Sequence, residues 1–172
     1  AVFLDDPDPW PEMAGMTARE TAIVILGEGS LATARRIQSA LPGACIFGLA
    51  SRTTGAEIPY SDFGEKLREL FLDDVPIVAL CAAGIVIRTL APLLQNKRAE
   101  PPVLAVAEDG SAVVPLLGGL RGVNAIAQKI GAALGSVPAI TTTGEVRFGA
   151  TLEAPPAGYE LRNPADSKRF MS

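Results

Sequence analysis

The chain contains no histidine. That absence removes the commonest general base, the usual Ser–His and Cys–His pairs, and most zinc sites. No metal-ligating set is expected. Aromatic residues are 5% of a chain that is 48% hydrophobic, so the core must be Ala, Val, Ile and Leu rather than stacked rings. The two cysteines, Cys45 and Cys81, stand too far apart for a CxxC pair. They read as buried, reduced thiols of a cytoplasmic protein. Mean hydropathy is +0.29, yet every long apolar stretch is broken by Gly, Pro or charge before the roughly 18 residues that span a bilayer. No membrane partner is expected. The first residues are acids and prolines rather than a basic n-region, so no secretion signal is read. Neither GxGxxG nor GxxxxGK[ST] occurs, so neither a dinucleotide nor ATP is inferred.

Positive charge is also scarce overall. The net charge of −4 argues against a nucleic-acid partner. Its distribution is more telling. Between Val75 and Thr143 five basic residues (Arg88, Lys97, Arg98, Arg121, Lys129) face three acids (Glu100, Glu108, Asp109), so this segment is +2 and the remainder −6. A locally positive site on an acidic chain suits a small polyanion better than a nucleic-acid strand.

What is present is an alternation of strand and helix patterns. Residues 1–18 lack periodicity and read as a disordered or extraneous leader. Thr21 to Leu26, Ala44 to Leu49 and Val75 to Leu80 are apolar runs suited to strands buried on both faces. Helical stripes follow at Leu31, Ala34, Ile37 and Leu41; at Phe63, Leu67, Leu70 and Phe71; and from Gly84 to about Leu94, where Pro92 breaks the end. Residues 50–60 read as loop. Val103 to Ala107 and Ala112 to Leu117 flank Asp109-Gly110, a hairpin turn signal. Asn124 is placed to cap a last helix, and Ala139 to Thr141 reads as a final short strand. The predicted fold is α/β: a mostly parallel sheet with helices on both faces, three layers in all, plus one hairpin. The expected domain is 19–150, with 151–172 a linker toward a missing domain.

Ligands in open parallel sheets bind beyond the carboxyl ends of the strands. Gly27–Ser30, Cys81–Gly84, Gly118–Gly122 and Thr141–Thr143 are read as four such ends, converging on one edge. Gly84, Gly118, Gly119 and Gly122 would offer N–H groups, Arg88 and Arg121 forked donors for carboxylates, and Thr141, Thr142 and Thr143 hydroxyls. The plain alternative is that these glycines only let the chain turn. Lys97 and Arg98 read as solvated charge. Cys81, between strand and helix, reads as a packed core thiol, a pKa lowered by the helix dipole being the alternative. For catalysis only Glu108 and Asp109 stand out, on a turn where acids are common for structural reasons.

The run CAAGIVIRTLAPLLQNKRAEPPVLAVAEDGSAVVPLLGGLRGVNAIAQKIGAALG, followed by PAITTTGE, resembles the N-terminal domain of cobalamin biosynthesis protein G, the cobalt-precorrin-5A hydrolase family. That family reads ICAxGIVVRxIAPLL, a basic DKR-like step, a V-x-D/E-x-G hairpin, then LLxGHxGxN. The resemblance covers about Ala22 to Phe148. It implies a cytoplasmic domain of cobalamin biosynthesis that opens a corrinoid lactone and releases a two-carbon fragment. Any cobalt would be carried by the corrinoid substrate, and the domain would need no cofactor of its own. LLGGxRG…N, TTTGEVRFG and the tail GYELRNPADSKRFMS look most like the form fused in front of a precorrin-3B methyltransferase. That likeness implies a methyltransferase in the same polypeptide and other enzymes of the pathway as partners. One departure matters: Leu120 stands where the family has histidine. The resemblance therefore implies binding, by the glycines, Arg121 and Asn124, more firmly than turnover. A non-catalytic module that binds or channels corrinoid is the alternative.

Overall fold

The computed structural model describes residues 20–142. Residues 20–140 form one compact unit, while Thr141 and Thr142 fall to a second. The leader, Thr143 and the linker toward a missing domain lie outside the described residues.

Strands β1 (Ala22–Ile25), β4 (Ile77–Leu80) and β5 (Val103–Val106) are apolar throughout and buried at every position. Strands without a polar face must be covered on both sides, and they occupy the centre of the sheet. With β2 (Cys45–Leu49), β3 (Ile58–Tyr60) and β6 (Val113–Leu117) they make six strands in the order β3-β2-β1-β4-β5-β6. All neighbours are parallel except β5 and β6, the hairpin pair. Ala22 lies level with Cys45 and Ile77, and Ile77 with Val103, so the strand ends line up as two edges.

Helices α1 (Leu31–Ala40) and α4 (Val123–Leu134) cover one face, α2 (Phe63–Leu72) and α3 (Ala83–Leu90) the other. The alternation along each strand divides the core in two. Ile23, Ile25, Val78, Leu80 and Leu104 pack with Ile37 and Ile130, whereas Ala22, Val24, Ile77, Ala79 and Val103 pack with Leu67, Val86 and Leu90. Fully burying one of the Val, Ile or Leu side chains stabilises by about 1.5–3 kcal/mol. The aliphatic, three-layer α/β design read from composition and periodicity is the one adopted.

Three local expectations fail for physical reasons. Ile58-Pro59-Tyr60, read as loop, is an edge strand paired only with β2. It is too short to show alternation, and an edge tolerates its proline. The strand expected from Ala139 does not form; residues 136–140 have no regular structure, though the Ala139 N–H donates to the Val113 carbonyl at 2.8 Å. Asn124 does not cap α4. The cap position is Gly122 in a left-handed conformation, with no side-chain cap bond. Pro92 does stop α3, at a single 3-10 turn over Ala91–Leu93.

Candidate functional site

The order of the strands creates an opening between β1 and β4. The chain leaves β1 into α1 on one face and leaves β4 into α3 on the other, so no crossover covers the gap between their carboxyl ends. A cavity of about 340 Å³ opens beside that gap, over the carboxyl ends of β4 and β5 and the start of β6. Leu26 lines it from the end of β1, Cys81, Ala83 and Ile85 from the end of β4 and the first turn of α3, and Ala107 and Glu108 from the end of β5. Its walls are largely aliphatic, and Glu108 is the one carboxylate on them.

Cys81 is 7% exposed. Burial, with a smaller contribution from the nearby Glu108 charge, pushes its thiol up to about 11. Desolvation thus outweighs the dipole of α3, and Cys81 is the core thiol rather than an activated nucleophile. Tyr60 is a second polar group on this side that composition did not single out. Its hydroxyl donates to the Ile25 carbonyl at 2.8 Å. Burial first, then the charges of Cys81 and Asp62, raises its pKa. Both groups stay neutral at neutral pH, and neither can take a proton from water.

The hairpin holds Glu108 over this edge. The Thr33 hydroxyl donates to the Glu108 carbonyl at 2.8 Å, tying the turn to the start of α1. The Glu108 side chain remains exposed. Asp109 is committed elsewhere: its Oδ1 accepts from the Ser111 hydroxyl at 2.6 Å and the Ser111 N–H at 2.9 Å. Those bonds lower its pKa. Of the two candidate acids, one lines the cavity and the other builds the turn.

The glycine loops at Gly84 and Gly118 do not share one crevice. Because β6 runs antiparallel to β5, Val113 pairs with Val106 at the carboxyl edge and Leu117 with Val103 at the amino edge. Gly118, Gly119, Leu120, Arg121 and Gly122 therefore emerge at the amino edge, opposite Gly84. Gly118 is required there twice over. Its φ is +79°, and a Cβ would lie 2.5 Å from the Pro102 Cα. Arg121 lays its fork on a carboxylate of its own chain, pairing Nη1 and Nη2 with Oδ1 and Oδ2 of Asp74. Its Nη1 also donates to the Ala99 carbonyl at 3.2 Å. Asp74 itself has a φ of 60°, which a non-glycine residue adopts rarely. Leu120 and Asn124 sit half-buried at this same edge. With the hairpin turn at the other end of β6, neither Glu108 nor Asp109 lies over the glycine loop. Thr141 and Thr142 are exposed and belong to the second unit.

Arg88 is exposed on α3, its guanidinium folded back over Gly84. Lys97 and Arg98 are exposed in a turn, as solvated charges. Among the described residues no group of three or more Cys, Asp or Glu could hold a metal ion. Asp74, 47 residues before Arg121, and Tyr60 carry no local motif that would have marked them.

Comparison with known proteins agrees with the geometry at the level of fold and family. The family described as cobalamin synthesis G N-terminal matches residues 65–145. Cobalt-precorrin-5A hydrolase of Salmonella typhimurium is 34% identical over 127 residues, 73% of this chain and 36% of that protein. The protein of the same name from Priestia megaterium is 32% identical over 82 residues, 47% of this chain and 22% of its own length. The chain thus spans about a third or less of the curated relatives it matches. A crystal structure of a cobalamin biosynthesis protein G homolog from Sulfolobus solfataricus shares the fold, with a TM-score of 0.53 and 22% identity over 72% of this chain and 37% of that one.

Proposed function

We propose a function from one premise: the chain carries a domain of the cobalamin synthesis G N-terminal family. In this reading the domain binds a corrinoid intermediate of cobalamin biosynthesis at the carboxyl edge of its sheet. The observation that carries it is the cavity over the carboxyl ends of β4 and β5, with Leu26 of the β1 end at its side, aliphatic on its walls and open beside Glu108. At about 340 Å³ it is near the lower limit of small-molecule sites. It suits one corner of a macrocycle rather than the whole ring, with Gly84 and Arg88 meeting peripheral carboxylates outside it. Gly118, Gly119, Gly122, Arg121 and Asn124 serve the same ligand only if it also reaches the amino edge. The cobalt belongs to the substrate.

The reaction assigned to the domain is the one its relatives' name describes, hydrolysis of cobalt-precorrin-5A. Water adds to the lactone carbonyl, the ring C–O bond breaks, and a carboxylate and a hydroxyl result; the hydroxyl then loses its proton and becomes a carbonyl as the carbon–carbon bond to the macrocycle breaks, the macrocycle carbon takes the electron pair and a proton, and the two-carbon fragment leaves as an aldehyde. Attack by water needs a proton acceptor, a role typically worth about 10²–10⁴-fold. Glu108 is the carboxylate at the cavity that can fill it. The second reading, binding without turnover, draws support from the absence of histidine and from Leu120. A methyltransferase partner in the same polypeptide and a cytoplasmic location complete the proposal. Among the described residues no helix is long and apolar enough to cross a membrane.

Incubating the domain with the cobalt corrinoid lactone and following ring opening by mass spectrometry separates the readings. We expect binding with slow hydrolysis, and Glu108→Gln should lower that rate about 10²-fold while affinity holds. Binding with no hydrolysis selects the binding module. Absence of binding removes the corrinoid reading.

A further inference from the structure

Several acidic side chains of this domain are held by their carboxylates. Glu28 Oε2 accepts from the Thr54 N–H at 2.8 Å, Glu57 Oε2 from the Ile46 N–H at 2.8 Å, and Asp62 Oδ1 from the Glu65 N–H at 2.7 Å. Glu108 is the reverse case. Among the described residues no hydrogen bond or ion pair engages its carboxylate, while its backbone is held from another helix.

The hydroxyl that holds it belongs to Thr33, in the first turn of α1 and 7% exposed. A serine or threonine inside a helix often donates to the carbonyl four residues back. Ser39 of the same helix does so, to Arg35 at 3.0 Å. Thr33 donates instead to the Glu108 carbonyl, 75 residues away, at 2.8 Å. The turn closes without that bond. The Gly110 N–H donates to the Ala107 carbonyl at 2.8 Å, the Ala107 N–H to the Ala112 carbonyl at 2.9 Å, and Ser111 bonds Asp109. Gly110 also seats the turn between two helices: a Cβ there would lie 3.3 Å from Leu134 Cδ1 of α4 and 3.4 Å from Thr33 Cγ2. The added constraint therefore falls on Glu108, which lines the cavity between Ala107 and Ala112, whereas Thr33 does not line it.

We propose that Thr33 is a positioning residue for lactone hydrolysis, fixing the Glu108 backbone so that the free carboxylate stays beside the attacking water at the cavity. The proposal rests on the reading of Glu108 as the proton acceptor and adds the residue that sets its geometry. Water hands a proton to the carboxylate as its oxygen bonds to the lactone carbonyl carbon, so the carboxylate must stand within hydrogen-bond reach of that water. A misplacement of about 1 Å costs such a step about 10²-fold.

The test follows opening of the cobalt corrinoid lactone by the whole chain, together with the denaturation midpoint of each variant. Thr33→Val keeps the shape and removes the donor; kcat should fall about tenfold with KM unchanged. Thr33→Ser keeps the donor and should retain the rate. Thr33→Val on a Glu108→Gln background should lose nothing further, because Thr33 acts through that carboxylate. Ile37→Val, which loosens the core beneath the same helix, should lower the midpoint and leave kcat as it is. An unchanged kcat in Thr33→Val beside a fall in Glu108→Gln overturns the positioning role and leaves Glu108 standing. So does a further loss on the Glu108→Gln background, an equal loss in Ile37→Val, or no rescue by Thr33→Ser. A rate that Glu108→Gln leaves untouched, or no opening by the unmodified chain, overturns the acceptor and its positioning together.

Discussion

The two edges of the sheet use the same residue types for opposite purposes. At the carboxyl edge, Gly27 and Gly29 have nothing within 4 Å of where a side chain would begin, and Arg88 is exposed. At the amino edge, Gly118 is wedged against the Pro102 backbone, and Arg121 is bound to Asp74 and Ala99. An arginine inside a glycine loop is a ligand donor only where its fork is unoccupied. At the amino edge, glycine and arginine join loops to one another. At the carboxyl edge they leave room.

The largest contrast should come from the glycines. Gly118→Ala forces a Cβ into backbone at a positive φ, which should cost about 3 kcal/mol or more. Gly29→Ala, in open space, should change stability by less than about 1 kcal/mol. Denaturant midpoints read both, and equal losses would erase the distinction between the edges.

Arg121→Ala should cost about 1–2 kcal/mol of stability and leave corrinoid affinity unchanged. The pair it breaks is partly buried, at 19% and 33% side-chain exposure, so its loss lies between that of a surface pair and a buried one. Weakened binding with stability intact would return Arg121 to the ligand and the site to the amino edge.

The smallest expected effect is the sharpest test. Leu120→His restores the residue type that the family resemblance leads one to expect. Leu120 sits at the end of β6 away from the cavity, so lactone hydrolysis should not change. A rise in turnover would place the chemistry at the amino edge and leave Glu108 without a role in it.

Local chemistry made much of this fold legible. Runs such as Ala22–Ile25 and Ile77–Leu80 carry no polar face and can only be central strands; Asp109-Gly110 marks its hairpin; Pro92 ends its helix. Ile58-Pro59-Tyr60 was not legible, because a three-residue edge strand containing proline has no period of its own. The cavity was partly legible: Cys81 to Ala83 and Glu108 border it as strand ends should. The gathering of Gly118 and Arg121 into that same site was misread. The hairpin was visible in the residues, but a hairpin also reverses the strand, and whatever follows β6 must leave by the other edge.

Composition and periodicity by themselves determined an aliphatic three-layer α/β domain; the family likeness came from the resemblance of its motifs. They also determined that any proton acceptor must be something other than histidine. Only the tertiary structure decided which charges are free. Asp74 reaches Arg121 across 47 residues, and Glu108 reaches the cavity because the Thr33 hydroxyl of α1 holds its backbone. Pairings of that kind depend on distances in space between segments far apart in the chain, and no local pattern of residues encodes them.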